Sequence, residues 1–162
     1  MPAKLSNPRD LLLALLADLL HVERRLVGGV LAAVIGAVGD EALRTALAEH
    51  LEETRAHVER LETSFRRLEA APSANLSRAF ESAVSQHDDV AGAIVDPALA
   101  DVFHAASALH VEHYEIAGYR AAIAAVQAQG HGDVARMLGD TLVEEERAAA
   151  TVDRMLARLA AS

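Results

Sequence analysis

The sequence of 162 residues contains no cysteine, only four prolines and few aromatic residues. Without cysteine the chain has no disulfide framework, no thiolate metal site and no cysteine nucleophile. Positive charge is also scarce, because 15 Lys and Arg residues stand against 24 Asp and Glu residues, for a formal net charge of −9. This balance argues against nucleic acid as a partner, since phosphate contacts need clustered Lys and Arg side chains.

The scarcity of helix-breaking residues points to one fold class. Four prolines and nine glycines leave room for long uninterrupted helices, and the composition is rich in Ala, Leu, Glu and Arg, which are good helix formers. We therefore predict a single all-α domain over residues 1–162, which is long enough to bury a hydrophobic core.

The apolar stretch LLLALLADLL at residues 11–20 is interrupted by Asp18 and is too short to span a membrane. Its pattern continues into HVERRLVGGVLAAV, so we interpret it as part of the first helix rather than as a signal peptide. We expect a cytoplasmic protein that has no membrane partner.

Apolar residues recur at intervals of three and four positions in four long segments, which predicts four amphipathic helices. Asn7-Pro8 and Asp96-Pro97 each combine an N-cap residue with proline at the first helical position. Asp133 is expected to cap the last helix. The predicted helices cover about residues 7–38, 41–70, 97–129 and 133–159.

The four helices form two pairs, and each pair is joined by a short turn, which is typical of an antiparallel four-helix bundle. The middle connection, residues 71–96, includes the loop APSAN at 71–75 and a short predicted helix at 76–90. This connection is long enough to cross over the end of the bundle.

Acidic and histidine side chains interrupt the apolar seams of these helices. The first seam passes through Glu23, and the second passes through His50 and His57 with Glu53 beside them. Glu112 and Glu115 share a face of the third helix because they lie three positions apart. Glu145 lies within the fourth helix, and its neighbours Glu144 and Glu146 are expected to face water.

The spacing of these glutamates repeats. Glu53 follows Glu23 by 30 positions, and Glu145 follows Glu115 by 30 positions. The two halves of the chain are therefore similar to two copies of one helical hairpin. If each hairpin packs its seam inward, glutamates from four different helices meet near one level of the bundle.

Several ionised carboxylates in a dry core would repel one another and lose their hydration. Protons or buried Arg partners could relieve this cost, and so could a pair of divalent cations. Helical bundles hold di-iron or di-manganese pairs with Glu and His ligands from facing helices. Because the helical phase directs most neighbouring Arg residues elsewhere, we favour the metal interpretation.

The segments HLEETRAHVERLE (50–62), DPALAD (96–101), VEHYEIAGY (111–119) and LVEEE (142–146) resemble the YciF/YciE-like branch of the ferritin-like superfamily. The resemblance extends from about residue 9 to residue 158. It implies a ferritin-like antiparallel four-helix bundle with a di-metal carboxylate site and often a homodimer. By this resemblance Glu23 and Glu115 would be mostly terminal ligands, Glu53 and Glu145 would bridge the metals, and Glu112 would form a pair with Glu115.

One departure from the superfamily pattern concerns histidine. The superfamily usually places a His three residues after each bridging Glu, but these positions are Ala56 and Ala148 here. His57, four residues after Glu53, and His50, three residues before it, are the alternative ligands on the second helix. The choice between them stays open, and the fourth helix offers no His near Glu145.

Two functions are compatible with these features. The first is a di-iron or di-manganese protein, two metal ions per chain, that reacts with oxygen or peroxide as a peroxidase, catalase or ferroxidase. The missing cysteines mean that an electron donor would be a separate molecule. The second is a non-catalytic, dimeric, helical stress protein with a structural or empty metal site. A hemerythrin-like bundle would need HxxxH and HxxxE patterns, and the second helix has no HxxxE on its seam.

The surface of the first helix suggests a place for dimer contact. Leu13, Leu20 and Val27 lie off the main seam and could form an additional apolar face. Gly28-Gly29 would let another helix approach closely there. Dimer formation is otherwise an expectation from the family resemblance.

Overall fold

The structure, a computed structural model, describes residues 4–73 and 76–162. These residues form an all-α bundle, which confirms the predicted fold class. The predicted APSAN loop falls partly outside the described residues, since residues 74 and 75 are not described. The helices are α1 (Pro8–Arg25), α2 (Leu31–Ala37), α3 (Glu41–Arg67), α4 (Arg78–Ala93), α5 (Pro97–Ala128) and α6 (Gly132–Ala160), with a π-helical turn (Leu26–Val30) joining α1 to α2.

Side-chain caps set three of the helix starts. Asn7 accepts a hydrogen bond from the Asp10 backbone N–H, and Asp96 accepts one from that of Ala98, at 2.9 Å each. Asp40 caps α3 through the Leu43 backbone N–H at 2.9 Å. The sixth helix differs from expectation, because His131 occupies its N-cap and the predicted cap, Asp133, lies in the first turn and pairs with Arg67.

Contacts along the helices show that neighbours run antiparallel. Between α3 and α6, Arg67 pairs with Asp133 at one end of the bundle, whereas Asp40 pairs with Arg158 at the other. The crossover helix α4 lies outside the four long helices, where Arg25 and His21 of α1 contact its Glu81. Apolar core clusters fill the bundle toward each end, one around Leu16, Leu61 and Leu138 and the other around Leu43, Leu47 and Val152.

The first helix is not continuous as predicted, because it changes direction at the π-helical turn. Gly29 within this turn has a φ of 138°, a region that residues with a Cβ atom rarely adopt. The glycine pair permits this bend, and no other part of the described chain lies within 4 Å of a Cβ built at either glycine. The approach of a partner's helix at this point stays a prediction.

The face proposed for dimer contact is partly used within the chain. Leu20 is buried in the same core cluster as Leu16, and Leu13 packs against that cluster. The homodimer therefore stays a prediction from family resemblance. No helix in the described part of the chain is both long and apolar enough to cross a membrane.

Candidate metal centre

A cluster of buried polar side chains lies between the two apolar core clusters, with contributions from all four long helices. We call this set the acidic cluster. Its members are Glu23 of α1, His50 and His57 of α3, Glu112 and Glu115 of α5, and Glu145 of α6. Each is at most 6% exposed, so the apolar seams do carry these charged groups into the interior.

The acidic cluster divides into two groups that share one residue. His50, Glu112, Glu115 and Glu145 each bring a ligand atom within 4.8 Å of the others, and Glu23, His57 and Glu145 do the same. Glu145 belongs to both groups. This arrangement is geometrically that of two adjacent cation sites with one carboxylate between them.

Many of the side-chain nitrogen and oxygen atoms of the cluster lack hydrogen-bond partners within the described protein. Eight buried side-chain atoms have no hydrogen-bond partner, and they come from the six members of the cluster; both carboxylate oxygens of Glu115 and of Glu145 are among them. Buried polar atoms are normally paired, since leaving them unpaired costs free energy. Carboxylate oxygens together with imidazole nitrogens are a donor set that suits iron or manganese, so these residues fit a pair of such ions.

Burial and mutual repulsion raise the pKa values of three carboxyl groups of the cluster, those of Glu23, Glu112 and Glu115. Burial, with the charge of Glu145 next, raises the pKa values of Glu112 and Glu115 well above the usual range. Burial also raises the pKa of Glu23 to about 7, although contacts with His57 and Tyr119 oppose the rise. Proton binding and metal binding are therefore alternatives at this centre.

The two histidines differ in charge. Burial by itself would lower the pKa of His57, but the close carboxylates of Glu145 and Glu23 raise it to about 10. Its Nδ1 lies 3.0 Å from Glu145 and 3.4 Å from Glu23. For His50, burial is the largest effect and lowers the pKa, while its Nε2 lies 3.4 Å from Glu112.

Each histidine also contacts a carboxylate outside the cluster. The second ring nitrogen of His57, Nε2, lies 2.9 Å from Glu144, which accepts two hydrogen bonds from Arg60. Contrary to expectation, Glu144 is therefore not simply solvated, since its side chain is 24% exposed. Arg60 lies three residues after His57 on α3, and no local signal in the sequence pairs it with Glu144, which is 84 positions away.

Glu53 is the one predicted ligand that lies outside both groups. Its side chain is 32% exposed and accepts a hydrogen bond from Arg147 of α6. Its other oxygen lies 3.8 Å from Nδ1 of His50. The same order of arginine, carboxylate and histidine therefore occurs twice, once as Arg147, Glu53 and His50 and once as Arg60, Glu144 and His57. The contact between Glu53 and His50 is longer than a hydrogen bond.

Tyr119 supplies a further contact that fixes the cluster. This fully buried residue of α5 donates a hydrogen bond from its hydroxyl to Glu23. Nearby, Gly118 lies so close to α1 that a Cβ atom there would meet Leu19 at 2.7 Å. The close approach of α1 and α5 brings Glu23 and Glu115 to the same level of the bundle.

Comparison with known proteins gives this arrangement a family context. A family model described as a domain of unknown function (DUF892) matches residues 7–162. The chain belongs to this family. The protein YciF of Escherichia coli (strain K12) is a relative that is 30% identical over 141 residues, which cover 85% of this chain and 82% of YciF.

Solved structures of similar proteins share the fold. The E. coli stress protein YciF superimposes with a TM-score of 0.92 at 25% identity, covering 98% of this chain and 99% of that one. YcfI from Rhodopseudomonas palustris superimposes with a TM-score of 0.89 at 33% identity, covering 94% and 97% of the two chains. The protein is thus a homologue of YciF along nearly its whole length.

Proposed function

We propose that this protein is a ferritin-like di-metal carboxylate protein that holds two iron or manganese ions and reacts with peroxide or oxygen. The observation that carries the proposal is the pair of residue groups that share Glu145 and could each hold a metal ion. In these groups eight buried side-chain nitrogen and oxygen atoms have no hydrogen-bond partner in the described protein. A cluster of this kind is costly without bound cations or protons.

The side chains take different roles in this proposal. Glu23 and His57 would hold one ion, and His50, Glu112 and Glu115 would hold the other, with Glu145 between them. Glu53 and Glu144 would orient His50 and His57 from outside, as carboxylates commonly do for histidine ligands. In this proposal Glu53 positions the ring of His50, whereas the family resemblance implied that Glu53 bridges the two metal ions.

A pair of such ions supplies two electrons within one site, which is what the reduction of a peroxide requires. The protein keeps bulk water out, because the members of the acidic cluster are almost entirely buried. Tyr119 holds Glu23 in a fixed orientation, and Glu112 and Glu115 would release their protons when the ions bind. The stress-protein description of the relative YciF is consistent with peroxide as a substrate.

The experiment that tests this proposal is anaerobic loading with ferrous iron, desalting, and measurement of iron by mass spectrometry. We expect about two irons per chain and a ferric absorption band that grows when hydrogen peroxide is added. Glu115→Ala should lose iron, whereas Glu52→Ala, a change at an exposed position of α3, should retain it. Wild-type protein without retained iron would refute the proposal.

A second function, a non-catalytic dimeric stress protein, has one observation in its favour. A protonated His57 between Glu23 and Glu145 neutralises part of the negative charge without any metal. In that case the metal-free bundle would need no bound ion to be stable. A melting temperature that does not change on addition of iron or manganese would support this second function.

A further inference from the structure

A largely apolar cavity of about 400 Å³ lies beside the acidic cluster. It lies between the bend that joins α1 to α2, helix α4 and helix α5, and it is partly open to solvent; its walls include Leu31, Phe80 and Val111. His50 and Glu112 also line it. The cavity therefore reaches the second of the two ligand groups directly.

The local structure explains why this space is not filled. The bend at Gly29 carries α2 away from the straight path of α1. Helix α4 covers the opening but contributes a single buried residue, Phe80, among the described residues. Polar contacts hold this helix in place, because Glu81 accepts hydrogen bonds from Arg25 at 2.6 and 3.1 Å.

The charge of the lining restricts what this cavity can bind. None of the described residues around it is Lys or Arg, and its titratable lining residues are Glu112, Tyr114 and four histidines, His50, His87, His104 and His110. An anionic ligand such as a fatty acid would find no permanently charged cation in the lining and would lose its hydration against largely apolar walls. An uncharged molecule with a hydrocarbon chain meets apolar walls, and Glu112 Oε2 at one edge is a buried polar atom without a partner.

We propose that the cavity binds the hydrocarbon chain of an uncharged alkyl hydroperoxide, whose peroxide group lies against Glu112 and His50. The volume is in the range of small-molecule sites in proteins. This inference rests on the proposed function and names its substrate class. Reduction of the hydroperoxide breaks the O–O bond and consumes two electrons and two protons, which leaves an alcohol and water; the electrons would come from oxidation of two divalent ions by one electron each.

The binding part can be tested on the metal-free protein with the corresponding alcohols. Calorimetric titration with 1-butanol, 1-hexanol and 1-octanol should show affinity that rises about fourfold per methylene group, as expected for burial of a hydrocarbon chain. Octanoate, which has a similar chain and a negative charge, should bind at least about tenfold more weakly. Equal binding of octanoate, or no dependence on chain length, would overturn the inference.

A pair of variants on α4 locates the binding site. Ala83 and Ala93 are both exposed, but Ala83 lines the cavity and Ala93 does not. Ala83→Trp should obstruct the cavity and weaken octanol binding by about tenfold or more, because the indole occupies space that the chain needs. Ala93→Trp should bind octanol as wild type does. The same affinity in both variants would place the alcohol elsewhere.

The iron-loaded wild-type protein separates this inference from the proposed function. Oxidation of bound iron by hydrogen peroxide, combined with failure of octanol to bind, would leave the proposed function standing and overturn the inference. Octanol binding without any oxidation by hydrogen peroxide or octyl hydroperoxide would refute both the function and the hydroperoxide assignment. If light scattering showed that octanol dissociates a dimer, a second copy of the chain would be what covers the cavity. That result would also overturn the inference.

Discussion

The two ligand groups of the acidic cluster have different surroundings, although they share Glu145. The group of Glu23 and His57 is closed, because both side chains are fully buried. Tyr119 is hydrogen-bonded to Glu23, and Glu144 is hydrogen-bonded to His57. The other group borders two cavities, since His50 and Glu112 line both the large apolar cavity and a smaller one of about 170 Å³ between α3 and α6.

If the acidic cluster holds two ions as proposed, this difference predicts a division of tasks between the two groups. A closed group with firm outer contacts keeps its ligands in fixed positions, whereas an open group can admit a small molecule. Because the long contact between Glu53 and His50 leaves that histidine less constrained, we expect exchange of ligands to take place on the open side. Four variants or conditions test or sharpen this comparison.

The largest effect is expected from Glu145→Gln, because this residue belongs to both groups. The amide keeps the size of the side chain but removes the charge that two cations would share. Retained iron should fall from about two ions per chain to nearly none. Glu146→Gln, at an exposed neighbour, is the matched control. Retention of one ion by Glu145→Gln would show instead that the two groups bind independently.

Acid should weaken metal binding strongly. Below its pKa of about 7 Glu23 is protonated, and Glu112 and Glu115 have pKa values raised well above the usual range. A metal ion must displace these protons, so affinity rises with pH. For each proton displaced we expect about a tenfold loss of manganese affinity per unit of pH on lowering the pH from 7.5 to 5.5. A flat calorimetric profile would mean that other residues bind the ion.

The two histidines should differ in their effect on the metal-free protein. His57→Ala removes the cation that lies between Glu23 and Glu145, so we expect a loss of about 3 kcal/mol in the free energy of unfolding. His50→Ala leaves a similar space, but burial lowers the pKa of His50 and favours its neutral form, so its loss should be smaller. Urea denaturation at pH 7 measures both. Equal losses would contradict the charge difference.

The smallest of the four effects concerns the outer carboxylates. Glu144→Gln should reduce metal affinity by about tenfold, because Glu144 contacts His57 at 2.9 Å and orients its ring. Glu53→Gln should have less effect, since Glu53 lies 3.8 Å from His50. Calorimetric titration with manganese compares the two variants. A larger loss for Glu53→Gln would reverse the assignment of the closed and open groups.

The sequence pattern predicted most of the bundle and many of the buried polar positions. Along α3 the seam through His50, Thr54, His57 and Leu61 is buried as a whole, because those residues share one face at helical spacing. That seam already left Glu53 to one side. The 30-residue repeat nevertheless suggested equivalent roles for Glu53 and Glu145, and the structure places only Glu145 within the ligand groups.

Other features could not be predicted because they depend on contacts between distant segments. The π-helical turn arises where two glycines allow a bend, and the apolar cavity results from that bend together with the position of α4. The bonds from Arg60 to Glu144 and from Arg147 to Glu53 join α3 to α6. Neither pair has a signature in local sequence, since their members are more than 80 positions apart.

The sequence by itself determined the helices, their buried faces and the presence of acidic residues on those faces. Hydrophobic periodicity reports how a residue is oriented around its own helix axis. It does not report how far one helix is shifted along another, which is set by the packing of side chains such as Leu19 against Gly118. Only the tertiary structure therefore decided that Glu145 lies between two groups, that Glu53 lies outside them, and that one group is open to a cavity.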